Sequence, residues 1–358
     1  MKEDILYWIW LTELKGIGCN ISKKLLDRFY TPLNIYNSTI EEIKLVKGIG
    51  NTIANKIVNN KSLEESKIIL ENCKKNNIKI TILHDDNFPE KIKLYNNMPI
   101  LLYYKGTIHN YLDGVAIVGS RKCSSYAKEV TVDTVKFLSK NNIPVISGMA
   151  KGVDGYAHSE CINSNGFTVA FLGCGLDIYY PIEHRVLMNK IIENGCIISE
   201  YPPGTKPSIH NFPKRNRLIS ALSEKILVIE ASENSGALIT AKYAMEQNKE
   251  LLVVPNNIYS VESKGSNKLI LEGATIYLNK KQLLYKNTFW EEENEILNIK
   301  SKSEDNILLN ILKNKKRTLD DLVKLSKRKK EEVINEIILL ELEGKILKKG
   351  IYYNIGAL

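Results

Sequence analysis

Lys214, Arg215 and Arg217 place three positive charges within four residues. They stand around Asn216 and directly behind Phe212 and Pro213, in the stretch "HNFPKRNRLIS" at 210–220. A guanidinium presents a planar fork that fits phosphate oxygens in pairs. An aromatic ring offers a face on which any base can stack, worth roughly 1–3 kcal/mol. A duplex hides its base faces, so an exposed ring beside arginines points to a single strand. The competing reading makes Phe212 a core residue that anchors a solvated loop. The stretch itself reads as a loop leaving a strand.

Other turns carry compatible chemistry. "GSRKCS" follows the apolar run 115–118, and there Gly119 permits close backbone approach while Ser120 and Arg121 can bind phosphate oxygens. "SGMAKG" supplies two glycines at a helix start beside Lys151. "SENSGALITA" puts Ser235 and Gly236 at another helix N-terminus, where free N–H groups and the dipole favour an anion. GxGxxG does not follow the first strand, and GxxxxGK[ST] is absent throughout. Dinucleotide and P-loop nucleotide binding therefore lose support. Several phosphate-friendly turns in succession suit a polyanion laid along a sheet edge.

These turns need a sheet to carry them. Between 78 and 282, apolar runs at 79–83, 100–104, 115–118, 144–146, 168–172, 196–199, 226–230, 251–254 and 275–278 alternate with helical patterns. Several runs are continuously apolar, as strands covered on both faces must be. The expected fold class is α/β, an extended Rossmann-like, doubly wound and mainly parallel sheet. Ligands of such sheets bind outside the carboxyl ends of the strands, where the turns lie. Residues 1–77 read as a helical domain. In it "LKGIGCNISKKLLDRF" and "VKGIGNTIANKIVNN" repeat a Gly-Ile-Gly turn before a helix, a helix-hairpin-helix (SAM-like) pattern able to hold phosphate or to serve as a plain bundle turn. Residues 283–302 read as a linker. Residues 303–358 read as three helices, the third ending at Gly344, and a hairpin, the winged-helix plan. Lys327, Arg328, Lys329 and Lys330 open the third helix, for DNA or as a solvated turn of a protein-binding module.

The chain has 358 residues, enough for two or three domains, and a formal net charge of +9. That balance favours an anionic partner, although a Lys-, Asn- and Ile-rich composition raises the Lys count everywhere. Cysteines 19, 73, 123, 161, 174 and 196 form no CxxC pair, so neither a metal site nor a disulfide framework is expected. No apolar run reaches membrane-spanning length, and the N-terminus lacks a signal-peptide pattern. A cytoplasmic protein with no membrane contact and no cofactor is expected.

"IVGSR", "SGMAKGVDGYAH", "AFLGCGLDIYYP", "ISEYPPGTKP", "FPKRNRLISALS", "VIEASENSGALITAKYAMEQNKELLVVP" and "GSNKLILEGA" occur in this order. The chain thereby resembles the DNA-processing protein A family (DprA, also called Smf), closely over 78–282. The resemblance implies single-stranded DNA binding in natural transformation. Incoming strands would be protected and a RecA-type recombinase loaded onto them, with single-strand-binding protein a further partner and a homodimer as the assembly. It implies DNA contacts at Ser120, Arg121, Gly204, Phe212, Arg215 and Arg217. Some relatives have Lys where this chain has Ile209, and Lys206 or Lys214 is the expected replacement. Where relatives read Val-Pro-Gly, this chain has Asn256, expected to keep the turn by adopting positive φ.

Two other classes compete. A nucleotide-processing enzyme of phosphoribohydrolase type needs a carboxylate placed for general acid or base work, with Asp154, Asp177, Glu200 and Glu230 as candidates. They show no dyad spacing, and no catalytic residue is assigned. A sequence-specific regulator driven by the winged helix leaves the strand-end turns without a purpose.

Overall fold

The computed structural model describes residues 4–110, 112–284, 307–312, 315–342 and 345–355. Residues 1–283 form one compact unit and 284–358 a second. The first unit opens with six helices, α1 (Asp4–Glu13), α2 (Cys19–Phe29), α3 (Pro32–Asn37), α4 (Ile40–Lys44), α5 (Asn51–Asn59) and α6 (Glu64–Lys75). The repeat seen in the sequence is a structural repeat. Gly16 and Gly48 take φ of +86° and +87°, open to glycine, and Gly18 and Gly50 then cap α2 and α5 without a side-chain hydrogen bond. The intervening Ile17 and Ile49 are buried.

All nine expected strands are present. They are β1 (Lys79–Ile82), β2 (Leu101–Gly106), β3 (Gly114–Val118), β4 (Val145–Ser147), β5 (Thr168–Leu172), β6 (Gly195–Ser199), β7 (Ser223–Val228), β8 (Glu250–Val253) and β9 (Thr275–Ile276). The interleaved helices are α7 (Glu90–Lys93), α8 (Ser125–Lys140), α9 (Val153–Asn163), α10 (Arg185–Asn194), α11 (Asn211–Leu222), α12 (Ala237–Glu246) and α13 (Lys264–Leu271). One sheet has the order β1-β2-β6-β5-β4-β3-β7-β8-β9, parallel from β6 to β9 and antiparallel at β1 and β2. β3, β5 and β6 are buried at every position, which accounts for their unbroken apolar runs. One core joins the N-terminal helices and α10 to one face, with Trp8, Leu25, Tyr103 and Ile197 at its centre. The other joins α7, α11, α12 and α13 to the opposite face, through Phe88, Phe171, Leu218 and Ala241. From β3 the chain winds outward to β6, then returns through α11 to β7 on the other side of β3. The strand order therefore reverses between β3 and β7, where a crevice opens at the carboxyl ends.

The stretch 210–220, expected as a loop, is the N-cap His210 and most of α11. β6 and β7 run in the same direction as β3 and β5, so their connection must cross the sheet, and a helix does this. Pro213 is tolerated because first-turn N–H groups have no intrahelical acceptor. The Asn256 expectation is also corrected, since that residue is not among those with positive φ. Asn267 holds the turn instead, its Oδ1 accepting from Asn256 N at 3.3 Å and its Nδ2 donating to Asn256 O at 3.1 Å.

The second unit contains α14 (Ile307–Leu312), α15 (Leu319–Ser326) and α16 (Lys330–Leu342). Its strands β10 (Arg317–Thr318), β11 (Ile346–Lys349) and β12 (Tyr352–Ile355) pair antiparallel in the order β10-β12-β11. Leu308, Leu322, Val333, Ile337 and Ile346 form its core. Thr318 and Asp321 close a capping box at α15. Arg328 is tied to Glu332 and Glu336, and Lys330 to Asp320, so part of the basic run is neutralised locally. The linker expected at 283–302 lies outside the described residues apart from 283 and 284, as does Gly344.

Candidate nucleic-acid interface

A cleft of about 720 Å³ occupies the crevice between β3 and β7. One wall is the turn after β3. Gly119 is required there, because a Cβ would meet Val153 Cγ2 at 2.6 Å. Gly152 locks the turn from the other side, with φ of +76° and a virtual Cβ 2.2 Å from Ser120 O. Val153 N donates to Ser120 O at 3.2 Å. The backbone of Ser120 and Arg121 is thus fixed by the start of α9, while the Arg121 side chain stands exposed. Its guanidinium lies 5.8 Å from the centroid of the Phe212 ring. Neither Arg121 nor the adjacent exposed Lys122 forms an ion pair among the described residues.

The facing wall is the turn after β7. Ser235 Oγ accepts from Ala237 N at 3.3 Å at the start of α12, and Gly236 O accepts from Asn216 Nδ2 at 3.1 Å. α11 supplies the floor. Phe212 is half-buried, packs on Gly173 and stacks on Tyr180 with centroids 5.4 Å apart and planes at 24°. The ring is therefore neither a core anchor nor fully open, and it shares an aromatic shelf under Arg121. Arg215 is buried beneath. Its Nη1 donates to Phe171 O and its Nε to Asn216 Oδ1 at 3.0 Å. Burial pushes its pKa down, against the opposing pull of Asp154. Asp154 Oδ2 and Arg215 Nη2 flank Gly148, each within 2.7 Å of where a Cβ would stand, so only glycine fits between them. Burial pushes the Asp154 carboxyl up to about 6, opposed by Arg215. His158 below is fully buried, and burial lowers it to about 4. As a neutral ring it donates from Nε2 to Gly148 O at 2.6 Å, and its Nδ1 meets Thr168 Oγ1 at 2.7 Å.

The cleft brings together Gly119, Ser120, Arg121, Phe212, Arg215, Asn216, Ser235 and Gly236. Lys151 lines a smaller adjoining pocket of about 90 Å³ that shares Arg121, Tyr180, Phe212 and Arg215 with the cleft. Gly204, Lys206, Lys214 and Arg217 lie outside both linings. Gly204 sits in a turn with φ of +85°, its N–H held by both Asp177 oxygens at 2.9 Å. Arg217 points away from the cleft and is buried. It pairs with Glu200 at 2.6 Å, and the same Nη2 reaches Cys19 Sγ at 3.7 Å on α2. Burial works against its charge, but Glu200 and Cys19 outweigh this and hold its pKa above the ordinary value. The four-residue charge cluster thus splits by helical phase, one arginine to the cleft floor and one to the packing of α2 on the sheet unit.

Ile209 is 78 % exposed on the cleft rim, and neither Lys206 nor Lys214 takes its place there. The lysine that does line the cleft is Lys122. Tyr180 and Asn234 also line it and were not singled out from the sequence. "DIYYP" after β5 carried a signal for the tyrosine, an aromatic pair at a strand exit.

Residues 79–288 match the family model described as DNA recombination-mediator protein A, and residues 11–60 match a SAM-like helix-hairpin-helix tandem. Protein Smf of Synechocystis sp. is 36 % identical over 288 residues, 79 % of this chain and 72 % of its own length. DNA processing protein DprA of Streptococcus pneumoniae is 36 % identical over 201 residues, 56 % of this chain and 71 % of its own. The X-ray structure of DprA from Streptococcus pneumoniae matches with a TM-score of 0.68 at 28 % identity, over 78 % of this chain and 97 % of that one. The structure describing the single-stranded DNA binding mode of DNA processing protein A from Helicobacter pylori matches with a TM-score of 0.53 at 30 % identity, over 60 % and 97 % of the two chains. A family match over more than half of the chain, with its glycine-built cleft at the point where the strand order reverses, places this chain in the DNA recombination-mediator protein A (DprA, Smf) family.

Proposed function

We propose that the chain binds single-stranded DNA in the β3–β7 cleft without base-sequence preference, and serves recombination by presenting that strand to a RecA-type recombinase. The observation that carries the reading is the unpaired Arg121 guanidinium above the Phe212–Tyr180 shelf. A phosphate can take the fork while a base takes a ring face, and neither contact reads base identity. The Ser235–Gly236 turn and Lys122 offer further phosphate contacts on the two walls. Lys122, rather than Lys206 or Lys214, supplies the charge absent at Ile209. Arg215 contributes as a fixed positive charge under the floor, and Gly204, Lys206, Lys214 and Arg217 act outside the cleft.

A binding role is favoured over catalysis because each candidate carboxylate is already engaged. Glu230 caps α8 through Ser124 N and Oγ, Glu200 pairs with Arg217, Asp177 holds Gly204, and Asp154 lies buried against Arg215. The division into a helical part (1–77), a strand-binding part (78–282), a linker (283–302) and a winged-helix part (303–358) belongs to the same proposal. So do a cytoplasmic location and a homodimer, for which exposed Leu271 and Leu278 beside the short edge strand β9 offer apolar surface.

Phe212→Leu keeps all charge and a similar apolar volume. It is expected to weaken binding of an oligonucleotide by roughly 1–3 kcal/mol with the salt dependence intact, and to leave the fold stable. Tight binding of a mononucleotide by the unsubstituted protein, or full affinity in Phe212→Leu, would return the ring to a packing role.

A further inference from the structure

A second concavity, of about 570 Å³, runs between α9 and α10 with its preceding turn Ile182–His184. Gly155 shapes it. A Cβ there would meet His184 Cε1 at 2.8 Å, so the glycine lets the imidazole lie against α9 as one wall. Tyr156 is 36 % exposed on the same helix, with Lys128 Nζ 4.9 Å from its ring centroid. Exposed Lys190 stands on the α10 side. Neither Lys128 nor Lys190 is ion-paired among the described residues. Glu183 is the single carboxylate in the lining, and it is matched by Lys151 at 2.5 Å in a pair more than half exposed on both sides.

Lys151 also lines the small pocket beside Phe212, which in turn shares Arg121, Tyr180 and Phe212 with the cleft. Cleft, pocket and groove are therefore consecutive, linked by shared side chains. The groove repeats the chemistry of the cleft, with a ring under a cation and unpaired charges at its sides.

We propose that the groove between α9 and α10 is the continuation of the single-strand track, so that a strand leaving the Phe212 shelf crosses Lys151 and lies against Tyr156 between Lys128 and Lys190. This rests on the single-strand reading of the cleft. An exposed ion pair such as Lys151–Glu183 is weak and salt-screened, so an arriving phosphate can compete for the lysine. Charge complementarity favours a polyanion over a protein segment, although exposed Ile182 and Val186 edge the groove.

The test compares oligothymidylates of about 6 and about 20 nucleotides, lengths chosen to fill one short site or to extend beyond it. The full chain is titrated as the unsubstituted protein and as Tyr156→Ala, Lys190→Ala and Phe212→Leu. All three side chains are at least partly exposed, and melting temperatures check the folds. Tyr156→Ala should weaken the longer strand on the order of 10-fold and leave the shorter one unchanged. Lys190→Ala should lower the log–log salt slope by about 0.7 for the longer strand only. Phe212→Leu should weaken both. If the groove variants leave the longer strand unchanged, or weaken both lengths equally, while Phe212→Leu still weakens both, the track ends at the cleft. The groove would then be free for a protein partner. If Phe212→Leu also changes neither, the reading of the cleft falls, and the extension with it.

Discussion

Two arginines two positions apart do different work, and substitution separates them. Arg217 Nη2 and Glu200 Oε2 form a pair whose side chains are only 9 % and 12 % exposed, while Arg217 Nη1 and Glu200 Oε1 are buried without a hydrogen-bond partner among the described residues. Removing one member leaves the other charge buried, which costs about 3–5 kcal/mol. Arg217→Ala should therefore lower the melting temperature by roughly 10 °C, while the protein still folded in the cold keeps its affinity for a short oligonucleotide. An unchanged melting temperature with a flattened salt slope would return Arg217 to the DNA contacts. Asp154 supplies a pH dependence. Its carboxyl titrates near 6 in the folded protein and near 3.8 when free, so the stability it contributes is present below the lower value and is lost as pH rises through about 6. Its charge also opposes Arg215 and Arg121 above that pH. Oligonucleotide affinity should rise on going from about pH 7.5 to about pH 5, on the order of 10-fold for one charge at intermediate dielectric. In Asp154→Asn the profile should be flat across this range. A variant that keeps the slope would assign the titration to another group.

At the level of elements, the sheet was legible because β3, β5 and β6 are buried on both faces and so appear as unbroken apolar runs between turns. The glycine turns were legible too, and at Gly119, Gly148 and Gly152 the structure supplies a steric reason. α11 was not, because Phe212, Pro213 and three basic residues mask the apolar spacing of Leu218, Ile219 and Leu222, and because Pro at a helix start resembles a loop signal. Read as a loop, the stretch lets Arg215 and Arg217 face one ligand, whereas a helix turns residues two apart to different directions. Sequence also could not show that Tyr180 meets Phe212, a contact between residues 32 positions apart made by the return from β6. The turn between β4 and α9 offers the test at this scale. Gly152→Ala would force a Cβ against Ser120 O at a positive φ, so it should destabilise by more than about 1 kcal/mol and weaken DNA binding by loosening the Ser120–Arg121 turn. Gly236→Ala, with open space around it, should stay within about 0.5 kcal/mol of the parent in stability. Equal effects in chemical denaturation would contradict the locked-turn account.

Over the whole molecule, the net charge of +9 is a poor guide to the proposed DNA site, since lysines such as Lys91, Lys225 and Lys280 are held in ion pairs outside the cleft lining. Topology is the better guide. The reversal of strand order between β3 and β7 creates the crevice, the glycines line it with backbone, and the exposed Arg121 and Lys122 in its lining form no ion pair among the described residues. The most direct measurement is salt-dependent binding of one oligonucleotide of about 20 residues, as single strand and as duplex, to the parent and to Arg121→Ala. The account predicts that the parent prefers the single strand, and that Arg121→Ala weakens it and flattens the log–log salt slope by about 0.7 with no loss of melting temperature. Equal affinity for the duplex, or a slope that the substitution leaves untouched, would contradict it.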